Sequence, residues 1–135
     1  MKSLIGCKVE KAEINKENNL VVLTTDKGSF YLSFQGDCCA QCYLAHANGV
    51  DNLVGSTIND VEQSEWVSDD TEDYSVTETM GVKLTTSKGY VDFETRVEHN
   101  GYYGGYILVD QVGPLDQYNS YLYINPLELV TLKDF

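Results

Sequence analysis

Residues 4–13, LIGCKVEKAE, recur in altered form at 53–62 as LVGSTINDVE, and residues 23–32, LTTDKGSFYL, recur at 84–93 as LTTSKGYVDF. Both segments alternate apolar and polar side chains, and the second contains a Lys-Gly turn, so each copy reads as strands joined by tight turns. In the first copy the alternation predicts strands at 8–14, 20–25 and 29–35. NKENN at 15–19 and Asp26-Lys27-Gly28 supply the turns, with Gly28 free to take positive φ. In the second copy it predicts strands at 57–66, 75–87 and 89–97, with Lys88-Gly89 matching Lys27-Gly28. The second pair of segments is offset by more than the first, so the second copy carries extra residues between its strands, largely the acidic stretch, as a longer hairpin or loop. Further strands are expected at 106–112 and 118–124, broken by Gly113-Pro114, with a last turn opened by Pro126 before 127–132.

Between the copies stands GDCCAQCYLAH, residues 36–46. Asp37 is suited to accept hydrogen bonds from the first amides of a helix, residues 38–47 contain no proline, and Asn48-Gly49 is a helix stop, so a short helix is expected here. The fold class predicted is α+β: mainly antiparallel β, pseudo-duplicated β-meanders with one short helix after GDCC. The whole chain, 1–135, reads as a single domain with repeats at 4–49 and 53–107 and C-terminal strands in 108–135.

A domain of 135 residues buries roughly two-thirds of its unfolded surface and needs no metal or disulfide staple. No apolar run approaches the ~20 residues that span a bilayer, and the N-terminus becomes charged too early for a signal peptide. A cytoplasmic protein is expected, in which Cys7, Cys38, Cys39 and Cys42 stay reduced. The net charge of −12 argues against binding nucleic acid by phosphate neutralisation and favours a basic protein partner, although charge alone also serves solubility. The acids are concentrated: Asp60, Glu62, Glu65, Asp69, Asp70, Glu72, Asp73 and Glu78 fall in one stretch without Lys or Arg. Asp69, Asp70, Glu72 and Asp73 form the candidate acidic patch.

Three constellations could carry chemistry. Cys39, Cys42 and His46 have the C-x2-C-x3-H spacing that aligns zinc ligands on one stripe of a helix, with a fourth ligand to come from Cys7 or His99; the plainer account is an apolar helix face seated on a sheet. Cys38 or Cys39 at a helix N-terminus, with His99 as base, is the cysteine-nucleophile version. The loop Glu98 to Tyr106, EHNGYYGGY, offers His99, Asn100, Tyr102 and Tyr103 as a recognition surface, and Arg96, the only arginine, precedes it as the residue to reach an anion. Those tyrosines serve equally well as packing residues. DDTED at 69–73 lacks the spacing of a calcium loop, no phosphate loop or nucleophile elbow is present, and no cofactor is implied.

Taken together, LIG at 4–6, GDCC at 36–39, L-x-G at 53–55 and NGYY at 100–103 resemble a family of small phage and prophage proteins carrying a domain of unknown function, over the chain up to about residue 105. The matching residues are Gly36, Asp37, Cys38, Cys39, Asn100, Gly101, Tyr102 and Tyr103; Cys42 and His46 fall outside the pattern. The resemblance implies a phage or mobile-element origin and life in the cytoplasm of a bacterial host, and brings no activity. The function expected is non-catalytic: a phage accessory protein that binds a host protein, inhibiting a defence system, through its acidic patch and Tyr-rich loop, with Asp37, Cys38 and Cys39 as further candidate binding residues. The alternative is a homo-oligomer that sequesters a small nucleotide-like anion, and the third reading is a cysteine-dependent hydrolase or transferase.

Overall fold

The computed structural model describes residues 1–36, 40–70, 76–99, 104–112 and 128–135. Among these residues ten strands form two antiparallel sheets whose apolar faces enclose one core. The first sheet contains β1 (Val9–Ile14), β2 (Leu20–Thr25), β3 (Gly28–Gly36), β9 (Gly105–Val112) and β10 (Val130–Thr131), in the order β10-β1-β2-β3-β9. The second contains β4 (Gln41–Asn48), β5 (Ile58–Gln63), β7 (Val76–Thr86) and β8 (Gly89–His99), in the order β4-β8-β7-β5. The short β6 (Val67–Asp70) pairs with the first half of β7, whose second half pairs with β5. Two 3-10 turns, Lys2–Leu4 and Val50–Asn52, precede β1 and β5.

The expected strands at 8–14, 20–25, 29–35, 57–66, 75–87, 89–97 and 106–112 are present with small boundary shifts. The residues added between β5 and β7 include β6. The strand expected at 118–124, with Gly113-Pro114 and Pro126, lies outside the described residues.

The short helix after GDCC is not formed. Residues 41–48 are strand β4, paired with β8 from Gln41 opposite Glu98 to Asn48 opposite Asp92, with a bulge between Leu44 and His46. Helix propensity is a weak prior. It is outweighed here because β8 already pairs with β7 on one edge and would leave the other edge of a long, half-apolar strand open. Strand alternation also buries Cys42, Leu44 and Ala47 and leaves the other face to Tyr43, His46 and Asn48, a division no helix would give.

The sheets are sewn together where the two repeated segments meet. The Gly6 amide donates to the Ile58 carbonyl (2.7 Å) and the Gly55 amide to the Val9 carbonyl (2.7 Å); Val9 donates to Ser56 (2.9 Å) and Ile58 to Cys7 (2.9 Å). Each bond thus has a counterpart of opposite sense, and Lys8 and Thr57 pair between them. Gly6 and Gly55 sit at φ +88° and +81°, a region that disfavours side chains, so glycine is required at both. The turns repeat the correspondence: Thr25 Oγ1 donates to the Gly28 carbonyl and Thr86 Oγ1 to that of Gly89.

Away from this seam the sheets close over Gly105 of β9, where an added Cβ would run into Val97 Cγ2 and stand 3.1 Å from Cys42 Sγ. Gly105→Ala is expected to cost about 1–3 kcal/mol through overpacking. In a double-mutant cycle Val97→Ala should recover part of that loss, and additive costs in chemical denaturation would show the contact is not the cause. Thr95 is fully buried between Leu44 and Met80, and among the described residues its hydroxyl has no partner. Thr95→Val should therefore raise stability by about 1 kcal/mol, read as a higher denaturation midpoint.

Candidate functional site

Strand register brings the sequence-predicted stretches to one end of the molecule. Gly36 is opposite Gly105, Gln41 opposite Glu98, and Val76 opposite both His99 and Asp70. The chain therefore leaves the sheets at Gly36, Asp70 and His99 and re-enters at Gln41, Val76 and Gly105, all at the same end. The connections carry GDCC, DDTED and NGYY. Asp37, Cys38, Cys39, Glu72, Asp73, Asn100, Tyr102 and Tyr103 lie outside the described residues, as do the side chains of Asp69 and Asp70, whose backbone ends β6.

Beneath these connections the inward-facing positions turn polar. His99 is nearly enclosed, with 5% of its side chain exposed, and its Nε2 lies 3.0 Å from Glu78 Oε1. Glu78 was not legible as its partner from local sequence, but the register of the β7–β8 hairpin, fixed by the two-residue turn before Gly89, brings the two strand ends together. Cys42 faces the same interior, and burial pushes its thiol up to about 11 although the Tyr106 amide hydrogen-bonds to it. Cys7, the other free thiol among the described residues, is buried in the seam between the sheets.

Arg96 is not part of that interior. Positions 90, 92, 94, 96 and 98 of β8 point to the outer face, whereas Val91, Phe93 and Val97 are buried. On the outer face Arg96 Nη2 binds Glu94 Oε2 at 2.8 Å, and His46 Nε2 lies 3.4 Å from the guanidinium and 3.6 Å from the same carboxylate. Tyr43 donates to Glu98 Oε1 at 2.9 Å, and its phenol is raised by partial burial and then by the neighbouring Glu98. Lys83 Nζ rests 4.0 Å over the Tyr90 ring. Sequence reading passed over Tyr43 and Glu94, and took Glu98 only as the start of the Tyr-rich loop. The signal was the alternation of charge along β8, which sets Tyr90, Asp92, Glu94, Arg96 and Glu98 on one face.

The zinc stripe of Cys39, Cys42 and His46 depends on a helix and fails with it. On strand β4 the Cys42 thiol points into the core while His46 stands on the outer face, 58% exposed, so these two cannot share a metal. Among the described residues no three His, Cys, Asp or Glu side chains converge as ligands. No helix among them is long and apolar enough to cross a membrane.

Residues 2–109 match the family model of a domain of unknown function, DUF7448, and the chain belongs to that family. The matched span runs from the first 3-10 turn into β9 and so includes the second sheet, the first sheet except β10 and the end of β9, the seam and all three connections. No curated protein and no solved structure matches the chain significantly.

The enclosure of Cys42 has a direct chemical consequence. At pH 8 its thiol should resist alkylation at the rate of exposed thiols and become labelled only as denaturant unfolds the chain. Because its folded pKa is raised, the unfolded thiol ionises first. Stability should therefore decline as pH rises from the ordinary thiol range near 9 towards 11. Cys42→Ala should lack that component, and parallel pH profiles for the two proteins in urea denaturation would show the thiol is not responsible.

Proposed function

We propose that this family member is a non-catalytic binding protein of phage or prophage origin that docks on a basic host protein and thereby blocks a defence component. The observation that carries the reading is the common end of the sheets from which the GDCC, DDTED and NGYY connections leave. Paired strand ends at one end of the sheets lead into all three stretches, and recognition segments are commonly carried in this way on a rigid scaffold. Their acids fit a basic partner, as does the net charge of −12. A phage origin and a bacterial cytoplasmic setting rest on the sequence resemblance, and the reciprocal seam supports the reading of residues 4–49 and 53–107 as copies of one meander.

Of the competing readings, a nucleotide-like anion held by Arg96 would have to compete with Glu94, whose carboxylate lies 2.8 Å from Arg96 Nη2. The cysteine-transferase reading rests on Cys38 or Cys39, which lie outside the described residues; Cys42, with its thiol pushed up to about 11, does not offer a substitute nucleophile at neutral pH.

The test uses a tagged protein to isolate its partner from host extract, followed by affinity measurement with the purified pair. Binding should weaken as salt rises, and a variant carrying Asp69→Lys, Asp70→Lys, Glu72→Lys and Asp73→Lys should lose about tenfold or more in affinity at moderate ionic strength. Undiminished affinity in that variant, with no response to salt, would remove the acidic end from the account.

A further inference from the structure

Residues 130–135, VTLKDF, lie across the gap between the two sheets and hold on to both. β10 pairs with the edge of β1 away from β2, with Val130 opposite Ile14 and Thr131 opposite Glu13, and the Leu132 amide donates to the Ala12 carbonyl at 2.9 Å. Three residues on, Phe135 joins the second sheet. Its amide donates to the Ala47 carbonyl of β4 at 2.9 Å, and its carbonyl accepts from the Ala47 amide at 3.0 Å. Asp134 Oδ1 accepts from the Val50 amide at 2.8 Å, the first amide of the 3-10 turn that follows β4. Of the six side chains only Leu132 is buried in the core, while Val130 and Phe135 are exposed.

This strap and its seat are separable. The seat is made by β1, β4 and Val50, all within the residues 2–109 that identify the family, and the strap lies beyond them. The strap is an extended segment that adds main-chain bonds to strand edges and is fixed by one apolar anchor and, two residues later, one carboxylate. Sheets take up a strand supplied by another chain in the same way. None of these bonds depends on which copy of the chain supplies the strap. Residues 113–127 separate β9 from Glu128, and a chain of that length spans at most about 50 Å. We propose that the seat between β1 and β4 also takes the strap of a second copy, giving a strand-exchanged homodimer in which each chain's Leu132 and Asp134 complete the other's core and Val50 turn. Exchange of an identical element is a low-cost route to a dimer because the contacts are kept. A tethered strap has an effective concentration on the order of millimolar, so monomers prevail in dilute solution and exchange grows towards that range. The dimer would carry two copies of the polar end, and its absence would leave the binding proposed above intact.

A cross-chain disulfide between facing positions tests the exchange, with Glu13→Cys in one full-length chain and Thr131→Cys in another. The two are mixed near millimolar concentration and oxidised, and the linked peptides are mapped by mass spectrometry, which separates this link from any made by the native cysteines. A link between position 13 of one chain and position 131 of the other is expected, together with a wild-type dimer in light scattering that disappears on dilution. Weakening the strap should act in opposite directions on the two chains. Leu132→Ser in the Thr131→Cys chain should reduce the link about tenfold. In the Glu13→Cys chain it should raise the link, because that chain's own strap no longer fills its seat. Asp134→Ala should repeat both changes more mildly and keeps the comparison valid should Leu132→Ser disturb folding. No link between positions 13 and 131, or a link indifferent to which chain carries the weakened strap, would overturn the proposal.

Discussion

The four hydrogen bonds between residues 6–9 and 55–58 are the constraint on which the rest of the structure depends. Cys7, Val9, Ser56 and Ile58 are all buried, so their amides and carbonyls cannot turn to water, and each unmade bond would carry a desolvation penalty of about 1–3 kcal/mol. Only a chain that turns sharply just before each strand can bring both segments close enough, hence the left-handed Gly6 and Gly55. Once the seam is made, the orientation of each sheet is fixed, and so is the end from which the candidate connections emerge.

β8 is the second organising element because it is used on both faces and both edges. Its edges pair with β7 and β4. Its inner face gives Val91, Phe93 and Val97 to the core, and its outer face presents a row of charged groups. The alternation that permits this also separates two residues that are near neighbours in sequence. His99 ends on the inner side against Glu78, while Arg96 is bound to Glu94 on the outer side.

Much of this was legible in the sequence for one reason: repeated segments with the same turn chemistry announce strands whose ends are nearly fixed by Gly28 and Gly89. The helix was misread because Asp37 and Asn48-Gly49 are local signals, whereas the demand for a strand at residues 41–48 comes from the open edge of β8, far away in sequence. The acidic insertion was read as a longer connection, yet four of its residues pair with β7, since strand pairing depends on register with a distant partner rather than on composition. Of the candidate site, the Tyr-rich and cysteine stretches could be recognised by composition. The common end of the strands that lead into them and the His99–Glu78 pair needed the register.

The economy of cations ties these features together. The chain has nine Lys and Arg against 21 Asp and Glu, and several of the nine are engaged within the fold. Lys11 lies 3.4 Å from Glu13, Arg96 binds Glu94, Lys83 covers Tyr90, and Lys88 donates to the Val54 carbonyl at 3.0 Å. Each contact of this kind adds little to stability, since exposed pairs are worth about 0–1 kcal/mol. Their larger effect is on what remains outside. With these cations held close to the scaffold, the outward field is set by the excess of acids.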